Sequence, residues 1–320
     1  MRLVTLVMIT LCSGLAVGND DMQQAVSLYE QGALNEAQAK FESMQNTDPG
    51  RADSYYYLGR IQQSRGEYME AADYFEKAVE LDQQQSRYYQ GLGEAYGSAA
   101  QNVSFLKQMR LAGKIRSAFE RSVELDGDNI EARSSLITYY VNAPGIAGGS
   151  EEKALQQARE ISKRNTYRGH LAMAAVYQSQ GDDEATEREY LAAIEESPDE
   201  MGTYMALGIF MTGKERYDEA MQVYETALKT NPGHMGITYQ LGRTASISGA
   251  YPERGEAAFI RYLEYTPLPD EPGLDWANYR LGLIYQNQGM TEQAKHHYEQ
   301  ALALNPKHPE AKKALKKINR

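Results

Sequence analysis

The amino-acid sequence predicts an all-α protein made of antiparallel helix pairs stacked as a solenoid. The first observation is a spacing of 34 residues between Leu-Gly pairs, which recurs at two places in the chain (58–59 with 92–93, and 207–208 with 241–242). The second is a set of small and aromatic residues that follows these pairs at helical spacing. Because self-similarity with a fixed period of about 20–50 residues marks repeat architectures, both observations favour one repeated unit over two unrelated globular domains.

The clearest repeat, residues 279–306, shows why each helix pair is expected to form. In the first helix, Leu281 and Tyr285 are four residues apart and therefore lie on one face. Gly282 allows the second helix to approach closely, and Gly289 is placed for the left-handed conformation that ends many helices. The second helix ends before a proline and carries a stripe of alternating small and large residues: Ala294, Tyr298 and Ala301.

This pattern resembles the tetratricopeptide repeat, whose consensus places Leu-Gly, Tyr, Gly, Ala, an aromatic residue, Ala and Pro at the same offsets. Eight such units are predicted over residues 19–306, with insertions near 99–114, 143–150 and 267–274. Residues 307–320 are expected to form a capping helix, because the last repeat of a solenoid otherwise exposes its stacking face. The resemblance implies a right-handed α-solenoid superhelix of antiparallel helix pairs.

The first 18 residues have the pattern of a secretory signal peptide. Arg2 supplies a positive start, and an apolar run (3–11) follows it. Ala16 and Gly18 are small residues at the −3 and −1 positions for a cut before Asn19. This stretch is shorter than the roughly 20 residues that a membrane-spanning helix needs, so cleavage is favoured over a retained anchor.

Two alternatives to a cleaved signal remain open, a retained membrane anchor and a lipoprotein attached through Cys12. The lipoprotein alternative is disfavoured because Leu11, directly before the cysteine, is bulky where a small residue is normal. No later stretch approaches 18 apolar residues, so no membrane insertion is expected after cleavage. These features predict an exported protein, in a bacterial periplasm or secreted.

Composition and motifs exclude several classes of function. The formal net charge is −11, from 33 Lys and Arg against 44 Asp and Glu, which disfavours a general nucleic-acid binder. A single cysteine excludes disulfides, cysteine-based zinc sites and thiol catalysis within one folded chain. His296 and His297 are adjacent, so on a helix they diverge by about 100° and cannot chelate one metal together. No catalytic residue, metal site or cofactor is predicted.

The glycine-rich segment 143–150 is the most distinctive departure from the repeat. Ser150 is placed to cap a helix that begins at Glu151. The segment is interpreted as a turn between helices, with a specific contact loop or an anion site as alternatives. Glu151 and Glu152 disfavour the anion site, because both would repel an anion.

The resemblance implies that the first helix of each pair lines the concave face of the superhelix, where partners often bind. On these helices, the positions three residues before and one residue after the Leu-Gly glycine face away from the packing residues. The pattern by which some relatives clamp a terminal carboxylate with Lys and Asn is absent, so that specificity is not carried over. The partner-binding residues predicted on this face and beside it are Tyr56, Arg60, Gln90, Met205, Tyr239, Arg243, Trp276, Tyr279 and Arg280.

These observations predict a non-catalytic scaffold that binds a protein or peptide through its concave groove, in a bacterial cell envelope. The first alternative is a structural subunit of an envelope assembly complex, held by a large and stable interface. The second is an enzyme whose site uses the insertions at 99–114 and 143–150, although no nucleophile is paired with a base there.

Overall fold

The structure, a computed structural model, describes residues 20–101 and 103–318. Within these ranges the regular elements are α-helices, together with one short 3₁₀ turn, and no strand occurs. The prediction of an all-α fold is therefore confirmed. The predicted signal peptide, residues 1–18, lies outside the described residues.

The chain divides into two compact units, Met1–Asn165 (unit 1) and Thr166–Arg320 (unit 2). In unit 1 the helices are α1 (20–30), α2 (Leu34–Thr47), α3 (Ala52–Ser64), α4 (Tyr68–Leu81), α5 (Ser86–Ala100), α6 (Phe105–Leu125), α7 (Ile130–Asn142) and α8 (Glu151–Ser162). In unit 2 they are α9 (Thr166–Gln180), α10 (Asp183–Glu196), α11 (Met201–Gly213), α12 (Tyr217–Thr230), α13 (Met235–Ser248), α14 (Pro252–Leu263), α15 (Leu274–Asn287), α16 (Thr291–Leu304) and α17 (Pro309–Ile318).

Within each unit, consecutive helices pack against one another, and three odd-numbered helices also touch the next odd-numbered helix: α3 touches α5, α11 touches α13, and α13 touches α15. In unit 1, α3 contacts both α4 and α5; in unit 2, α13 contacts α11, α14 and α15. At these places the first helices of successive pairs lie side by side, as α3 and α5 in unit 1 and α11, α13 and α15 in unit 2. The last helix, α17, packs on α16.

Close packing between helices depends on the glycines of the Leu-Gly pairs. The ring of Phe75 on α4 is fully buried between Gly59 and Gly91, where an added Cβ would lie 2.8 and 2.7 Å from it. In unit 2, a Cβ on Gly282 would lie 2.6 Å from the ring of Tyr298. A side chain at these positions would push the aromatic ring out, so the predicted role of Gly282 in close approach is confirmed.

Two predicted helix ends are also observed. Gly289, two residues after the end of α15, adopts a φ of 76°, which favours glycine because it has no Cβ. Ser150 precedes α8, and its Oγ accepts a hydrogen bond from the backbone N–H of Lys153 at 3.3 Å. The first exposed donors of α8 are thus partly satisfied by the side chain that the sequence indicates.

The two irregular segments of unit 1 change the helix pairs in which they occur. Helix α6 has 21 residues where α4 has 14, so it extends about two turns, or roughly 10 Å, further. The segment between α7 and α8 contains the 3₁₀ turn Gly145–Ala147. None of the helices in the described ranges combines the length and apolar character needed to cross a bilayer.

Candidate partner-binding surfaces

A network of hydrogen bonds around Glu94 covers the first-helix face of unit 1. The Glu94 carboxylate accepts from Arg60 Nη1 at 2.9 Å, from Gln63 Nε2 at 3.3 Å and from Gln90 Nε2 at 2.8 Å. Asn129, which precedes α7, donates to Gln90 Oε1 at 2.9 Å. We call these five residues the Glu94 network. It joins two predicted site residues, Arg60 and Gln90, and leaves the Arg60 charge neutralised by Glu94.

Tyr56 lies at the edge of an aromatic cluster in unit 1. Its ring centroid is 5.4 Å from that of Tyr88 and 5.8 Å from that of Phe75, and the Arg87 guanidinium lies 5.0 Å from its centroid. Burial raises the pKa of Tyr56. The ring remains half-buried.

In unit 2, Arg280 on α15 bridges two side chains of α13. Its Nε donates to the Tyr239 hydroxyl oxygen at 3.2 Å, and its Nη1 donates to Ser246 Oγ at 3.4 Å. Tyr239 is only 4% exposed, because its ring packs 5.7 Å from Phe259 and 5.0 Å from Tyr262. Tyr239 therefore offers a partner little surface, and its main visible role is to hold Arg280.

Trp276 and Tyr279, both on α15, pack against the residue that precedes α17. The ring of His308 lies 4.3 Å from that of Trp276 and 5.2 Å from that of Tyr279. His308 is fully buried, and its Nδ1 accepts from the backbone N–H of Ala311 at 3.3 Å. These two predicted site residues are half-buried and help to attach the C-terminal helix.

Among the described residues, neither Arg243 nor Met205 makes a side-chain hydrogen bond with another predicted site residue. Met205 on α11 is half-buried against the core of unit 2. Arg243 on α13 is also half-buried, and its guanidinium makes no hydrogen bond or ion pair with any residue of the described part of the chain. Arg243 is thus a cation without an ion-pair partner among the residues that the structure describes.

The difference between Arg243 and Arg60 follows from their neighbours, because both arginines stand directly after the glycine of a Leu-Gly pair. The same position in the repeat after Arg60 is Glu94, which pairs with it. The same positions in the repeats before and after Arg243 are Ile209 and Leu283, which carry no charge. The repeat register therefore explains why one arginine is neutralised and the other is not.

The structure adds side chains that the predicted set did not include, namely Gln63, Glu94, Asn129, Ser246 and His308. A sequence signal existed for two of them. Glu94 repeats the position of Arg60 one repeat later, and Ser246 stands four residues after its Leu-Gly glycine, as Gln63 does. His308 had no such signal, because its contacts depend on how α17 folds back onto α15 and α16.

The first-helix faces of unit 1 and unit 2 both offer hydrogen-bond donors, aromatic rings and apolar side chains. In residues 20–101 and 103–318 no cluster of three or more His, Cys, Asp or Glu side chains is arranged to hold a metal ion. Among the described residues, Arg280 donates hydrogen bonds to the neutral groups of Tyr239 and Ser246. Unit 2 therefore presents two arginines, Arg243 and Arg280, without an ion pair there, whereas Arg60 of unit 1 pairs with Glu94.

Comparison with known families identifies the repeated unit. Residues 52–85 and 276–308 match the family model described as "Tetratricopeptide repeat", and residues 202–234 match a second model with the same description. The chain contains tetratricopeptide repeats. The matched segments include the helix pairs α3–α4, α11–α12 and α15–α16. Repeats of this family are typical of scaffolds for protein–protein interaction.

Solved structures show the same fold. A tetratricopeptide repeat protein from Parabacteroides merdae aligns with a TM-score of 0.57 at 15% identity, covering 83% of this chain and 98% of that one. The C-terminal part of a TPR repeat-containing protein from Cytophaga hutchinsonii aligns with a TM-score of 0.50 at 13% identity, covering 92% and 99%. These likenesses, which concern fold alone, confirm the predicted class of an α-solenoid of helix pairs.

Sequence relatives match this chain at low identity or over a small part of its length. The peroxisomal targeting signal receptor of Candida albicans is 23% identical over 247 residues, which is 74% of this chain and 39% of the receptor. An uncharacterised protein of Haemophilus influenzae is 31% identical over 113 residues, which is 34% of this chain and 60% of that protein. The chain therefore spans well under half of the length of the receptor that it matches.

Proposed function

We propose that this protein is a non-catalytic scaffold that binds a carboxylate-bearing segment of a protein or peptide partner on the first-helix face of unit 2. The observation that carries the proposal is Arg243, a half-buried cation without a counter-charge where the equivalent Arg60 has one. A partially desolvated charge is unfavourable unless it is paired, so a carboxylate supplied by a partner stabilises this site.

Arg280 strengthens the positive charge of the same surface. It contacts Tyr239 and Ser246, which stand four residues before and three residues after Arg243 on one face of α13. Both guanidinium groups therefore belong to the same stretch of that face, and neither has a carboxylate partner in the described part of the chain. The side-chain oxygen of Gln240, also on α13, is buried without a hydrogen-bond partner.

Apolar side chains beside the cations suit a segment of protein better than a small anion. Met205 and Ile209 lie one turn apart on α11, which packs next to α13, and Ile209 is 40% exposed. Arginine with neighbouring apolar and aromatic groups is the composition typical of binding hot spots. A wall of packed helices also presents these groups in a fixed arrangement, which lowers the entropic cost of binding. The relatives named as targeting signal receptors are consistent with recognition of a peptide segment.

Site-specific photo-crosslinking tests this proposal in the cells that produce the protein. A photoreactive phenylalanine analogue is placed at Ile209 on α11 or, as a matched control, at Ile260 on α14, which is 48% exposed. We expect a discrete crosslinked partner from Ile209 that is lost when Arg243→Ala is added, and none from Ile260. Equal crosslinking from both positions, or crosslinking that is unaffected by Arg243→Ala, would contradict the proposed surface.

We also propose that the protein is exported to a bacterial periplasm, on the sequence of residues 1–18 alone. The expected mature protein begins at Asn19. N-terminal sequencing of the protein from a periplasmic fraction measures this directly, with Ala16→Arg as the variant that blocks the cut. Recovery of an uncut wild-type chain from the cytoplasm would contradict export.

A further inference from the structure

The two irregular segments of unit 1 border a pocket that is also lined by Gln63 and Glu94 of the Glu94 network. Its cavity volume is about 590 Å³, within the range of roughly 300–1,000 Å³ that small-molecule sites occupy. Helix α5 forms its floor, the additional turns of α6 form one wall, and the end of α7 with residues 144–147 forms the other. The pocket lies entirely within unit 1 and does not overlap the surface proposed for partner binding in unit 2.

A missing side chain on α5 keeps the pocket open. Gly97 lines it, and a Cβ added there would meet no atom within 4 Å. Gly97 stands four residues after a Leu-Gly glycine, and the same position in other repeats carries a side chain: Gln63, Thr212, Ser246 and Gln286. Glycine within a helix is unfavourable relative to a residue with a side chain, and no contact requires a glycine at position 97. The effect of Gly97 on the structure is therefore the open space in the pocket.

The wall formed by residues 144–147 is held in place by specific contacts. The Tyr139 hydroxyl donates to the Ala147 carbonyl oxygen at 2.5 Å, and the backbone N–H of Ser150 donates to the Tyr140 carbonyl oxygen at 3.0 Å. An added Cβ at Gly149 would collide with the backbone of Ala143. The turn is therefore fixed against the end of α7, which makes the pocket preformed.

The side chains that line the pocket define the chemistry of its ligand. Phe105, Met109, Ile115 and Phe119 of α6 supply apolar surface, and Phe105 is 62% exposed. The polar lining consists of neutral amides and hydroxyls, apart from Glu94. The Glu94 carboxylate is already bonded to Arg60 and two amides, so the lining carries no uncompensated charge. An ionic ligand would lose its hydration without gaining a counter-charge.

We propose that this pocket binds an uncharged, mainly apolar small molecule. The neutral amides orient such a ligand by hydrogen bonds, while α6 supplies the apolar contacts. A small molecule fits a recess of this volume between α5, α6 and α7.

Binding of a fluorescent probe tests the proposal with the full chain. N-phenyl-1-naphthylamine is uncharged and becomes fluorescent in apolar surroundings, and 8-anilinonaphthalene-1-sulfonate has nearly the same rings with an added negative charge. We expect saturable binding of one uncharged probe per chain and at least about tenfold weaker binding of the sulfonate, a difference that corresponds to about 1.4 kcal/mol. Absence of saturable binding to the wild-type chain would overturn the proposal and leave the pocket to a polypeptide segment.

Two substitutions that fill the pocket locate the probe. Gly97→Leu fills it from α5 and Ala112→Phe fills it from α6, and each is expected to weaken binding by at least tenfold. Gly113→Leu is the matched control, because a Cβ there also meets no atom within 4 Å but Gly113 does not line the pocket. Leucine favours a helix more than glycine does, so both leucine variants are expected to keep the wild-type circular dichroism spectrum. Unchanged binding by both filling variants, with that spectrum retained, would overturn the proposal.

Discussion

Units 1 and 2 use the same packing scheme but present different side chains on their first-helix faces. In both, a glycine of a Leu-Gly pair lies against an aromatic ring, Gly59 against Phe75 in unit 1 and Gly242 against Phe259 in unit 2. The residue after that glycine differs in its surroundings, because Arg60 has Glu94 beside it and Arg243 has Leu283 at the equivalent position. Whether an arginine on a repeat protein is free to bind a partner therefore depends on the side chain at the equivalent position of the neighbouring repeat, and not on its own repeat alone.

The largest expected effect tests the shared part of the comparison, the aromatic packing. Phe75→Ala removes a fully buried ring that fills the space between Gly59 and Gly91, so it is expected to lower the free energy of unfolding of unit 1 by about 3–5 kcal/mol. Urea unfolding followed by circular dichroism measures the change. The matched control is Phe105→Ala, an exposed ring in the same unit, for which about 0.5 kcal/mol or less is expected. Similar losses for the two variants would contradict the packing scheme.

The next prediction converts the face of unit 2 into that of unit 1. Leu283→Glu places a carboxylate where Glu94 stands relative to Arg60, so Arg243 is expected to pair within the chain. Affinity for the crosslinked partner is then expected to fall about tenfold, or about 1.4 kcal/mol, as measured by titration of the purified partner. Leu283→Gln is the neutral control of the same shape. If the Gln and Glu variants lose affinity equally, the loss comes from an apolar contact and the charge argument fails.

The smallest expected effect is a dependence of stability on pH. Any such effect of histidine belongs to unit 2, because all five histidines of the chain lie there. Burial lowers the pKa of His297, and the adjacent His296 lowers it further against the opposing effect of Glu256. His297 therefore binds a proton more readily in the unfolded chain than in the folded chain. Its contribution to the free energy of unfolding is present above about pH 6.5 and is lost as the pH falls through the folded-state pKa. Its ring also stacks on Tyr285 with centroids 5.4 Å apart.

Hydrogen exchange, corrected for the intrinsic effect of pH, measures this contribution in each unit separately. Protection in α16 is expected to decrease between pH 7.5 and 5.5, and His297→Gln is expected to reduce that decrease. Helices α3 and α4 serve as the internal control, since unit 1 contains no histidine. An equal loss of protection in unit 1, or no response to His297→Gln, would show that another group is responsible.

The sequence predicted the local features of the fold because each depends on residues within one repeat. Gly289 adopts the left-handed conformation, Ser150 caps α8, and Gly282 receives the ring of Tyr298, as their spacing indicates. The surface residues were predicted less completely. The repeat pattern places Tyr239 on the face of its helix, but the ring turns into the core beside Phe259 and Tyr262.

By itself, the sequence determined that the chain is all-α and built from stacked helix pairs, because a period of 34 residues with its glycines and aromatics permits little other packing. Only the tertiary structure decided which charges face a partner and where a pocket opens. Those properties arise where side chains from neighbouring repeats meet, as Glu94 meets Arg60, and where an extended helix stands against a turn, as α6 stands against residues 144–147. Contacts of this kind depend on side-chain direction and on the shape of irregular segments, which the periodic pattern does not contain.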